Sequence, residues 1–166
     1  MGIRVAIERL EDFFEMFDTT DDQGWCDIGY EISEKIVKLY NDEDWRVFIR
    51  SIERLNRDVY LGVLQIFPLI PSRFHLEILE ILLHHARGEA WLDAFTELSK
   101  VYEVEPTPVM GILHRTNALE KFEQEFSNWV NFEFNEHDNF DCYYRRYRHL
   151  IRSETQKFYE TLQKIT

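Results

Sequence analysis

Ile3, Ile7, Leu10, Phe14 and Phe17 recur at spacings of four, three, four and three, which sets five large apolar side chains along one stripe of an α-helix and on no single face of a strand. The same period returns along the chain. Ile28, Ile32, Ile36 and Leu39 mark a second amphipathic helix after a polar break at 18–24. Trp45, Ile49, Ile52 and Leu55 mark a third, with Asn41 or Asp42 as its cap and the acids at 42–44 favouring its amino end. Strict alternation is not sustained over a convincing length anywhere, and six glycines with four prolines leave few tight hairpins. The expected fold is all-α, with seven or eight mostly antiparallel helices, as HEAT-like stacked pairs or as an irregular helical bundle.

The rest of the chain fits that class. A turn at Asn56, Arg57 and Asp58 leads into a short apolar segment, 59–67, ended by Pro68. Pro71 and Ser72 open the most apolar helix, where Phe74, Leu76, Ile78, Leu79, Ile81, Leu82 and Leu83 cover most of the circumference, as in a buried helix. Gly88 suits its carboxyl-terminal stop, and Trp91, Leu92, Phe95, Leu98 and Tyr102 form the next stripe. Thr107 as cap and Pro108 at the first helical position predict one long helix through Leu113, Leu119, Phe122, Phe126 and Trp129. The polar stretch 131–141 reads as an irregular connection, and Tyr144, Tyr147, Ile151, Phe158, Leu162 and Ile165 as the stripe of a last helix.

A chain of 166 residues is expected to form a single domain, 1–166. At this length a core forms without staples. Hydrophobic residues make up 45% of the chain, so its charge does not signal disorder. Aromatics at 15% exceed what a small core requires, and some are expected at the surface. Cys26 and Cys142 are too few and too far apart for a disulfide framework or a thiolate metal site, which favours a reducing compartment. Charged residues interrupt the amino terminus from Arg4 onward, unlike a signal peptide, and no apolar run reaches the length of a membrane span. The expectation is a soluble, cytoplasmic protein.

Charge narrows the partner. Asp and Glu number 31 against 19 Lys and Arg, a net charge of -12. A field of that sign repels nucleic acid and anionic membrane surfaces alike. Residues 1–55 hold 14 acids and 7 bases, residues 56–135 hold 12 and 6, and residues 136–166 hold 5 and 6. The acidity therefore belongs to the first four fifths of the chain.

Catalytic patterns are weak. Glu80 and His84, with Glu77 and His85 nearby, have a spacing that can place two metal ligands on one helical face, but His75, His114, His137 and His149 are scattered. A local surface pair beside buried leucines is the simpler reading. Asp18, Asp21, Asp22 and Asp27 surround Gly24, yet aligning Gly24 to the glycine of a calcium loop puts Tyr30 where the bidentate glutamate belongs. No phosphate-binding glycine loop, nucleophile elbow or Cys-x-x-Cys is present, so no catalytic residues, no metal site and no cofactor are assigned. The basic, aromatic run 143–149 has the composition of a single-strand groove. Tyr144, Tyr147 and Ile151 lie on the apolar stripe, however, which leaves Arg145, Arg148 and Arg152 on an adjacent face, where they can pair with acids of neighbouring helices.

In size, acidity and helicity the chain resembles the bacterial immunity proteins of contact-dependent inhibition and other polymorphic toxin systems. That resemblance implies a one-to-one complex in which the chain covers a cognate toxin domain and blocks its substrate. The residues themselves point to a basic protein as partner: Asp21, Asp22, Asp27 and Glu31 lie near Trp25, and Asp42, Glu43 and Asp44 adjoin Trp45. Aromatic anchors rimmed by charge suit tight interfaces. The expected function is neutralisation of a basic nuclease toxin, without enzymatic activity. A helical-repeat scaffold binding a peptide or adaptor is the second reading, and a metal enzyme using Glu80 and His84 the third.

Overall fold

The computed structural model describes residues 9–16, 29–56, 59–136 and 142–165, with side chains described except at residues 16, 128–136 and 142–152. The described residues form nine α-helices, with no strand among them: α1 (Leu10–Met16), α2 (Tyr30–Val37), α3 (Asp42–Ile52), α4 (Tyr60–Gln65), α5 (His75–His85), α6 (Gly88–Tyr102), α7 (Pro106–Arg115), α8 (Ala118–Glu136) and α9 (Cys142–Gln163). Two short 3-10 turns, Phe67–Leu69 and Ser72–Phe74, link α4 to α5. The fold is all-α. The chain falls into two compact units, Met1–Ile81 and Leu82–Thr166, so the division runs through α5. No described helix is long and apolar enough to cross a membrane.

In the first unit α1 packs against α2 and α3. Leu10, Phe13 and Phe14 are buried with Ile36 and with the α3 face formed by Trp45, Phe48, Ile49 and Ile52. The rings form a continuous chain, Phe14 stacking on Phe48 at 6.1 Å and Trp45 meeting Phe48 edge-on at 6.1 Å. Buried Ser33 satisfies its hydroxyl by donating to the Gly29 carbonyl at 2.9 Å. Ile3, Ile7, Phe17 and Ile28 lie outside the described residues. Leu39, expected on the α2 stripe, is 82% exposed. The helix ends at Val37 and the chain turns through Leu39 N–H to Ile36 O, so the 3.6-residue period no longer governs where Leu39 lies.

Pro68 sits inside the 3-10 turn, where its missing N–H removes no necessary bond. Ile78 and Leu79 in the first unit, and Leu82 and Leu83 in the second, are fully buried, as a helix apolar on most faces requires. Leu76 and Ile81 are only half-buried.

In the second unit α6 packs against α7, α8 and α9. Trp91 stacks on Phe95 at 5.3 Å, Phe95 lies 5.2 Å from Phe122 and 5.1 Å from Phe158, and Phe122 stacks on Tyr159 at 4.1 Å. The described Phe, Tyr and Trp rings thus fill cores more than they reach water; among them only Tyr30 counts as exposed. The Trp91 indole N–H donates to the Leu83 carbonyl at 3.2 Å, as a buried tryptophan requires. Buried Thr96 and Thr155 meet hydroxyl to hydroxyl between α6 and α9.

Several boundaries differ from expectation: Gly88, expected as the stop of α5, is the first residue of α6, and α5 starts at His75 after a 3-10 turn rather than at Pro71 and Ser72. Helix α7 starts at Pro106 rather than Pro108, with Glu105 instead of Thr107 at the cap. Both prolines fit the first turn, where amides have no helical acceptor, and the earlier one sets the start. The long helix predicted beyond 108 is two helices. Thr116 donates both its N–H, at 2.9 Å, and its hydroxyl, at 2.8 Å, to Ile112 O, and Asn117 adopts φ 51°, a left-handed conformation that asparagine tolerates. That break accounts for the ninth helix. Residues 131–136, expected to be irregular, continue α8. They contain neither glycine nor proline, and an established helix extends readily through such a stretch. Ile165 lies past the end of α9 and is exposed, the same end effect as at Leu39.

Candidate functional site

Helix α3 begins at a complete capping box. Asn41 Oδ1 accepts from Glu43 N–H at 2.8 Å and Asp44 N–H at 3.0 Å, while Asp44 Oδ2 accepts from Asn41 N–H at 3.0 Å. Asn41, not Asp42, is therefore the cap, and Asp44 is committed to holding the helix end. Asp42 and Glu43 stand exposed beside it. Asp42 pairs with Arg73, whose guanidinium also lies over the Phe74 ring at 4.9 Å. Glu43 pairs with Arg50 at 3.2 Å. Both pairs are exposed at each partner, a setting in which an ion pair contributes roughly 0–1 kcal/mol.

Trp45, expected both on the buried stripe of its helix and as an aromatic anchor for a partner, is 3% exposed, edge-on to Tyr40 at 5.1 Å and within 6.5 Å of Phe74, so it follows the stripe. Its position one turn into an amphipathic helix, on the stripe with Phe48, Ile49 and Ile52, turns the ring inward. The tryptophan fixes the backbone that carries the acids and presents no ring of its own.

Tyr40 completes this corner. Its hydroxyl accepts from Leu10 N–H at 2.8 Å, which tethers the start of α1, and donates to Glu11 at 3.5 Å. Burial pushes the phenol up to about 12. Arg9 bonds Glu11 at 2.8 Å, which raises the guanidinium further above its ordinary value. Glu31 lies exposed in the first turn of α2 and pairs with Lys35 at 2.6 Å, a bond that holds its carboxyl below the usual range.

Asp21, Asp22, Trp25 and Asp27 lie outside the described residues, as do the side chains of Arg145, Arg148 and Arg152. Of the candidate residues, the structure thus gathers Asp42, Glu43 and Asp44 at one helix start and leaves Glu31 paired within its own helix. Arg73 and Tyr40, which shape this corner, have no signal in the sequence: Arg73 stands 31 residues from Asp42, and Tyr40 lies 30 residues from the amide it receives.

At α5, Glu80 is half-buried and His84 is exposed, its ring 6.3 Å from that of His85. Among the described residues no group of three or more His, Cys, Asp or Glu side chains is placed to hold a metal ion.

The class the fold defines is an all-α protein with an acidic helix start. Comparison with protein-family models, curated proteins and solved structures yields no match.

Proposed function

We propose that the chain is an acidic binding protein that docks on a basic protein, and that this partner is a nuclease toxin domain whose active site it covers, as an immunity protein would. The observation that carries the reading is the pair of exposed carboxylates, Asp42 and Glu43, on a helix start fixed by a capping box in a chain of net charge -12. The backbone beneath them is anchored by buried Trp45, Phe48, Ile49 and Ile52, so little ordering is needed on binding. Their present cations, Arg73 and Arg50, are held by exposed pairs of small energy, and a partner's arginines and lysines can replace them at low cost. Charge of this kind speeds encounter and selects a basic surface. The reading assigns the chain no reaction of its own and places it in the cytoplasm with its target.

The test is calorimetric titration with the protein encoded by the adjacent gene. A one-to-one complex is expected, weakening as salt rises from about 0.1 M to about 1 M and the screening length contracts from about 10 Å to about 3 Å. Affinity that does not change with salt would overturn the electrostatic reading and favour a peptide-binding scaffold.

A further inference from the structure

We draw no further inference here: the strongest candidate, the exposed turn between α6 and α7 where Val104 stands between Glu103 and Glu105 ahead of Pro106, Thr107 and Pro108, offers one apolar side chain and two carboxylates, and nothing in the structure shows what covers it.

Discussion

Helix α3 is started by residues three apart in the sequence, whereas helix α6 is started by a carboxylate 37 residues downstream. At α3 the cap is local and exposed: Asn41 and Asp44 exchange bonds, and water can replace either. At α6 the residue before the helix, Arg87, makes no side-chain cap, and Gly88 enters with φ 58°. Glu125 on α8, 6% exposed, supplies the missing acceptor, taking the Gly88 N–H at 2.7 Å with Arg87 Nε 3.8 Å away. A carboxylate at a helix amino terminus is favoured by the dipole wherever it comes from. The difference decides what each acid is free to do. Glu125 is enclosed by the fold it supports, while Asp42 and Glu43 stand beside a cap that works without them.

The largest effect is expected at Trp45, which anchors the exposed helix start from below. Trp45→Ala should cost about 3–5 kcal/mol, the usual range for emptying a buried aromatic site, read by denaturant unfolding. A variant of unchanged stability that lost partner affinity would restore Trp45 as a surface anchor. Next, Glu125→Ala should cost about 2–3 kcal/mol, because a charge-assisted bond is lost and the Gly88 amide is left with restricted access to water. Glu125→Gln, which keeps an oxygen acceptor, should cost less. Equal losses in the two variants would mean that the charge, and not the acceptor, starts α6.

How far these features can be read in advance follows from the same contrast. Helix periodicity exposed the all-α class and the α3 face, since Trp45, Ile49, Ile52 and Leu55 are all buried. The cap of α3 was legible because its partners lie within one turn. Glu125 was not, for its position on an acidic helical surface resembles that of Glu123, which is exposed. The break at Asn117 is not legible in the sequence, because its signal is one residue in a left-handed conformation. The acids of the candidate site were legible as charge, but their pairing was not: Asp42 meets Arg73 only after the chain has passed through α3, α4 and one 3-10 turn and entered the second.

Smaller effects sharpen the picture. Tyr40→Phe should cost about 1.5 kcal/mol, by leaving the Leu10 N–H without its acceptor. Because the folded phenol is raised to about 12 from an ordinary value of about 10, its contribution is complete below about pH 10 and is lost as pH climbs toward 12. Thermal melts across that interval should therefore fall more steeply for the native chain than for Tyr40→Phe; parallel slopes would contradict the buried phenol. Asn41→Ala should cost about 1 kcal/mol, the ordinary loss of a helix cap, seen as a small drop in melting temperature. A loss as large as that of Glu125→Ala would erase the distinction between the two helix starts.

The most direct measurement is the association rate of the adjacent-gene protein with the double variant Asp42→Lys, Glu43→Lys, beside the melting curve of the same variant. Both native ion pairs at these positions are exposed and weak. The expected result is a fold destabilised by about 1–3 kcal/mol, from two reversed helix-end charges and two lost exposed pairs, that still melts cooperatively and associates about tenfold more slowly at low salt, the gap closing as salt rises. Unchanged association by a folded double variant would contradict the assignment of these carboxylates to a basic partner.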